Sequence, residues 1–146
     1  MTRFGSLLRY SVASAGVCNI IWQNFMSVFC LTGTSMLPTL SESDVVVCDR
    51  RWWKQVLEKG DIVVARNVRD TGTLVCKRVM ARSGDLVLVK TGFVEVPEGF
   101  VWLEGDNSLD SYDSRNYGPV PVEMVQGRVV LRIWPLSRLE AFKRSD

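Results

Sequence analysis

Along the chain, a long uncharged stretch gives way to short bursts of alternating apolar and polar residues set between turn formers. No charged residue lies between Tyr10 and Ser41, whereas Arg3 and Arg9 precede that run. Leu7 to Trp22 is rich in Leu, Val, Ala and Ile and predicts a helix. With its flanks that helix has about 18 residues and a length of roughly 27 Å, close to the hydrocarbon thickness of a bilayer. Gly16 interrupts it and Asn19, Gln23 and Asn24 make its far end polar, so a buried or interfacial helix is the alternative reading. Ala13-Ser14-Ala15 has the small-residue pattern of a secretory cleavage site, but the apolar run before it is broken by Arg9 and is too short. If the helix spans, Arg3 and Arg9 keep the N-terminus on the positive-inside face and put the remaining chain on the other side. The expected boundaries are a membrane anchor over residues 1–24 and one β-rich domain over 25–146.

Beyond the anchor the pattern predicts strands over Phe25–Leu31, Asp44–Cys48, Ile62–Arg66, Thr73–Ala81, Leu86–Lys90, Phe93–Val96, Phe100–Glu104 and Gln126–Trp134. Gly60-Asp61, Asp70-Thr71-Gly72, Ser83-Gly84-Asp85 and Thr91-Gly92 supply turns between them. Arg50 to Lys59, with Trp52 and Trp53, reads as a turn of helix or an irregular connection. Gly105 to Pro121 reads as a polar loop, and Leu136 to Asp146 as a short helix. Short strands with turns every 8–12 residues or so indicate a mainly β barrel or sandwich, not βαβ units.

The 146 residues suffice for one domain with a real core, and 47% apolar against 23% charged residues excludes a disordered chain. A net charge of +2, with no basic stripe interleaved with aromatics, gives no reason to expect a nucleic-acid partner. The chain has no histidine, which removes Ser-His-Asp, Cys-His and His-zinc chemistry together. Cys18, Cys30, Cys48 and Cys76 form no Cys-x-x-Cys pair, so neither a metal nor another cofactor is expected.

Serine chemistry without histidine needs another proton acceptor, and lysine is the best one left. Ser35 follows Gly33 and Thr34 in a tight turn that can expose a hydroxyl and aim backbone N–H groups outward. Lys77 lies in a predicted strand where Val75, Lys77 and Val79 share one face. Burial there would disfavour the charged ammonium and make the free amine a usable base; a surface lysine covering apolar side chains is the competing reading. The long loop from Gly105 suggests a site, because such loops are uncommon in small domains unless they serve one. In it Asp113 and Arg115 can pair, and Ser111 can exchange a hydrogen bond with a neutral amine. Asp106, Asn107, Asp110 and Asp113 are also calcium-type oxygen ligands, but the EF-hand spacing and its closing Glu are missing.

Taken together, Ser35-Met36-Leu37-Pro38-Thr39, Gly60-Asp61-Ile62-Val63-Val64, Cys76-Lys77-Arg78-Val79 and Gly105-Asp106-Asn107 through Arg115 resemble, in order, the boxes of type I signal peptidases. The short gap from Lys77 to Gly105, together with Val101–Asn107 and Ile133-Trp134-Pro135-Leu136, is most similar to the mitochondrial inner membrane branch of that family. The resemblance implies a membrane-bound serine endopeptidase with Ser35 as nucleophile and neutral Lys77 as general base. It also implies that Ser111 orients the lysine amine, that Asp113 and Arg115 form a stiffening ion pair, and that the Ser35 N–H is an oxyanion donor. Bacterial members place a second donor, a serine hydroxyl, where this chain has Gly33; the Thr34 region or a backbone group is left to compensate. Implied partners are precursor proteins with N-terminal sorting signals, the lipid bilayer and a second peptidase subunit in a heterodimer. The implied location is the mitochondrial inner membrane, with the catalytic domain facing the intermembrane space.

Other readings are weaker. Self-cleaving serine-lysine proteins of the repressor type carry a DNA-binding or soluble N-terminal arm, whereas this N-terminus is apolar. A β-lactamase-type Ser-x-x-Lys is absent because Pro38 stands three residues after Ser35. An inactive, membrane-anchored partner subunit is the non-enzymatic alternative, and the presence of both Ser35 and Lys77 counts against it.

Overall fold

The computed structural model describes residues 25–50 and 57–143. The predicted anchor helix, Cys18 and the Trp52-Trp53 pair lie outside the described residues. Among the described residues, no helix is long and apolar enough to cross a membrane. The strands are β1 (Met26–Cys30), β2 (Val45–Asp49), β3 (Ile62–Arg66), β4 (Leu74–Arg82), β5 (Leu86–Val89) and β6 (Gly92–Glu95), then β7 (Phe100–Glu104), β8 (Val120–Pro121), β9 (Val125–Trp134) and β10 (Glu140–Ala141). A one-turn helix α1 covers Ser114–Tyr117.

The main sheet runs β1-β2-β9-β3-β4-β7-β8, with β10 added to β9, and its pairings are antiparallel. The mainly β expectation holds, but β1 and β8 stand at opposite ends of the sheet and do not pair. The result is a curled half-barrel, not a closed barrel. Register shifts interrupt β2–β9, β3–β9 and β4–β7. Each such irregularity adds local twist to its strand, which is how a single sheet bends around a core.

β3 lies at the centre because four successive apolar residues, Ile62-Val63-Val64-Ala65, can be buried on both faces. Val63 and Ala65 pack with Leu57, Val79, Val101, Leu103, Val120 and Val125. Ile62 and Val64 face the other way, into a cluster with Met36, Leu40, Val46, Cys48 and Val129, against which Phe29 and Cys76 also pack. β5 and β6 form a separate hairpin seated on Ala81, Val96 and Trp102.

The tail departs from the predicted helix over Leu136–Asp146. Leu136–Arg138 forms a single 3-10 turn, after which Glu140 and Ala141 pair with Arg132 and Leu131 of β9. The edge of β9 offers unpaired backbone groups, and satisfying them outweighs the weak helical preference of so short a segment. Likewise the polar loop from Gly105 is not wholly irregular, since it holds both α1 and β8.

Leu103 is 1% exposed at the centre of the first cluster. Leu103→Ala is expected to lower unfolding free energy by about 2–5 kcal/mol in a urea titration, through lost transfer energy and the cavity left behind.

Candidate active site

β1 delivers the chain to a turn whose first bend is Gly33 at φ +82°, in the left-handed region that a side chain rarely occupies. The turn closes with Leu37 N–H donating to Thr34 O (3.1 Å) and Leu40 N–H to Met36 O (2.9 Å). Met36 and Leu40, at 4% and 1% exposure, sink into the core and fix the turn. Ser35 is left with its Oγ 2.8 Å from Lys77 Nζ. The two residues that sequence reasoning singled out therefore meet across 42 positions of chain.

Lys77 is 3% exposed, and Val79 and Ala81 on the same alternation of β4 are buried as well. The period-two reading of this strand holds, and the surface-lysine reading does not. Burial pushes the Lys77 amine below the ordinary lysine value; Cys76, Asp113 and Asp110 pull the other way, and Arg115 adds to the lowering. Among the described residues, no carboxylate forms a salt bridge with this amine. A buried amine without a partner carboxylate is the arrangement that favours the neutral base.

The loop after β7 closes over the pair. Asp113, fully buried, accepts from Gly105 N–H (2.8 Å), from Ser111 Oγ (2.6 Å) and from Arg115 Nε and Nη2 (2.9 and 2.5 Å). It also caps α1, with Asn116 completing a capping box. Burial alone would push the Asp113 carboxyl up, but these hydrogen bonds hold it at about 2. The expected Asp113–Arg115 pair is thus present. Ser111 differs: its hydroxyl donates to Asp113, and among the described residues no hydrogen bond joins it to Lys77. A charged acceptor at 2.6 Å outcompetes a neutral amine for that proton.

Four further contacts, which the sequence does not display directly, tie the closing loop to the turn and the lysine strand. Arg78, next to Lys77 but on the opposite alternation, makes a two-point contact with Asp106 at 2.8 and 2.6 Å. Thr39 Oγ1 donates to the same carboxylate at 2.6 Å. Asn107 N–H donates to Ser35 O at 2.9 Å, and its side-chain amide to Thr34 O at 3.2 Å. Asp106 and Asn107 belong to the last of the resembling boxes and are also calcium-type ligands by residue type; among the described residues no group of acidic or Cys side chains is arranged to hold a metal. The Thr34 hydroxyl is already directed at Asp110. The signal for these contacts was the adjacency of Lys77 with Arg78 and of Asp106 with Asn107, read one residue at a time.

Beside the pair lies a cavity of about 250 Å³, whose walls include Phe29, Leu31, Met36, Leu40, Val64 and Cys76 together with Ser35 and Lys77. Two strands border it with edges that are unpaired among the described residues. β1 ends the sheet there, and β4 pairs with β7 only from Arg78 onward, which leaves one side of Leu74–Lys77 without a described partner strand. An extended polypeptide fits between such edges as an added strand.

The sequence matches the family described as signal peptidase, peptidase S26, over residues 4–96 and 88–134, spans that contain the turn, the lysine strand and the closing loop. The chain belongs to the signal peptidase family. It is 37% identical over 148 residues to mitochondrial inner membrane protease subunit 1 of Xenopus tropicalis, covering 95% of this chain and 87% of that protein. Against the human protein of the same name it is 36% identical over 140 residues, covering 90% and 83%. Mitochondrial inner membrane protease subunit 2 of Schizosaccharomyces pombe is 33% identical over 130 residues, covering 84% and 72%.

Among the described glycines, Gly105 leaves the least room for a side chain. A Cβ built there would come within 2.5 Å of Ser35 O and collide with the Ser111 side chain. Gly105→Ala is expected to force the loop off the Ser35 turn and cut proteolysis at least tenfold by misplacing the pair, as measured by peptide cleavage on folded protein. Asp113 supplies a pH test. Its folded pKa of about 2 lies below the ordinary 3.8, so its stabilisation is fully present above about pH 4 and is lost as pH falls through 2. Asp113→Asn is expected to remove on the order of 2 kcal/mol at pH 7 and to flatten the acid limb of unfolding free energy against pH.

Proposed function

We propose that this chain is a membrane-bound serine endopeptidase that removes N-terminal sorting signals from proteins delivered to the mitochondrial intermembrane space. The observation that carries this reading is the 2.8 Å approach of Ser35 Oγ to the buried amine of Lys77. In it, Ser35 Oγ attacks the scissile carbonyl carbon as its proton passes to the lone pair on Lys77 Nζ. The resulting ammonium returns that proton to the leaving amine, and the released segment departs from an acyl-serine. Lys77 then takes a proton from water as that water attacks the ester carbonyl, and the ammonium passes the proton to Ser35 Oγ as it leaves, restoring the hydroxyl and the neutral amine.

The Ser35 N–H has no acceptor among the described residues and is available to the developing oxyanion. With Gly33 lacking a side chain and the Thr34 hydroxyl engaged on Asp110, a second donor on this turn has to come from the backbone. The apolar cavity and the two strand edges that are unpaired among the described residues support an extended substrate with small or apolar side chains near the cut. Ser111, Asp113 and Arg115 act here as a rigid wall that keeps the amine dry.

The names of the similar proteins support the inner membrane as location, and their numbering as subunits 1 and 2 supports a heterodimer with a second peptidase subunit. Residues 1–24 serve as the anchor in this reading, with the domain from residue 25 on the intermembrane-space side.

Ser35→Ala and Lys77→Ala are each expected to abolish cleavage of a precursor peptide by the membrane-reconstituted protein while leaving the circular dichroism spectrum intact. Normal turnover by either variant would dismiss the pair as catalytic machinery. Lys77→Arg is expected to fail equally, since a guanidinium does not lose its proton in proteins. Because the Lys77 amine titrates below 10.5, turnover is expected to rise with pH as that proton leaves, and to plateau below the ordinary lysine range. A rate that kept climbing through pH 10.5 would contradict a buried base.

A further inference from the structure

We propose that Arg132 and Arg138, at the C-terminal end of the fold, are positioning residues that set the Ser35–Lys77 geometry through the main chain of Thr39. The proposal rests on the peptidase reading and extends the machinery to a part of the chain remote from the cut bond.

Arg132, on β9, is 5% exposed, and Asp44 is 2% exposed. Arg132 Nη1 donates to Thr39 O at 2.8 Å and to Asp44 Oδ2 at 3.3 Å, while Nη2 reaches Glu140 at 2.6 Å and Nε the Arg138 carbonyl at 2.6 Å. Arg138 approaches from the 3-10 turn, donating from Nη1 to Ser41 Oγ (2.8 Å) and Asp44 Oδ1 (3.4 Å), and from Nη2 to Thr39 O (3.4 Å). Ser41 N–H donates in turn to Asp44 Oδ2 at 2.9 Å. Two guanidiniums and two carboxylates therefore balance in charge around a single carbonyl. That carbonyl belongs to the residue that ends the nucleophile turn.

A network that only tied down the tail would have no need of the Thr39 carbonyl. Thr39 also faces the other way: its hydroxyl donates to Asp106, which Arg78 grips from the residue beside Lys77. Thr39 thus joins the C-terminal arginines to the lysine strand, and it lies in the same turn as Ser35. Charge-assisted hydrogen bonds at both faces of one residue hold it far more firmly than the neutral turn bonds alone. Loosening it shifts Ser35 and admits water to the amine, the change to which near-attack geometry is most sensitive.

The test uses the full chain in membranes, with Arg138 changed because its side chain is 35% exposed and its loss leaves Arg132 to hold the fold. In Arg138→Gln, kcat is expected to fall roughly tenfold with KM within about twofold of the wild type. The Lys77 side chain, followed by carbon-13 NMR of labelled lysine, is expected to titrate at higher pH than in the wild type as water relieves its desolvation. The charged groups bearing on it, Asp110, Asp113, Arg115 and the Cys76 thiol, are untouched by the substitution. Arg138→Lys, which keeps the charge facing Asp44, is expected to recover part of both. If Arg138→Gln is folded and matches the wild type in kcat and in Lys77 titration, the proposal is overturned. It is equally overturned if turnover falls while the Lys77 titration and the pH profile stay fixed. Should the wild type cleave nothing while the lysine titration still moves, the peptidase reading fails and the coupling stands.

Discussion

The structure depends on keeping one amine out of water. Lys77 sits at 3% exposure against the hydroxyl of Ser35, and burial is the dominant reason its proton is weakly held. No single segment could create that environment. The strand bearing Lys77 is flanked by β3 and β7, so the loop that follows β7 falls across the lysine, while β1 at the far end of the sheet feeds the turn bearing Ser35. The curl of the half-barrel brings that far end round to the lysine.

The surrounding charges make the same point from the opposite side. Arg78 grips Asp106, Arg115 grips Asp113, and Arg132 with Arg138 enclose Asp44. Buried ion pairs of this kind add little to stability over apolar packing, though breaking one is costly. Their value here lies in what they withhold. Asp113, whose charge already favours the Lys77 ammonium, would do so more strongly if Arg115 did not hold it. Guanidiniums stay charged at any relevant pH, so they hold those carboxylates where lysines could not.

Much of this was legible beforehand, and the reasons are local. β3 and β7 begin and end where the apolar runs Ile62–Arg66 and Phe100–Glu104 predict, because continuous or alternating Val, Ile and Leu between turn formers leave little choice. Ser35 and Lys77 stood out because a chain without histidine has few ways to activate a serine. Asp113 and Arg115 are near enough in sequence for their pairing to be read directly. The contacts of Asp106 with Arg78 and Thr39, and of Arg132 with Asp44, span 28 to 88 positions and arise only once the sheet order is known. Ser111 illustrates a different limit. Its hydroxyl proton goes to Asp113, a charged acceptor two residues on, and that competition is not displayed by composition. The tail strand was missed because Glu140 and Ala141 carry no strand signal of their own and simply complete an edge.

The depressed amine of Lys77 also carries a thermodynamic debt. A lysine that binds its proton less tightly when folded than when unfolded opposes folding at every pH where the free chain would be charged. An apolar side chain of similar length at this position would fill the same space without that opposition. The fold without this lysine is therefore the sturdier one, and selection for robustness alone would discard the residue.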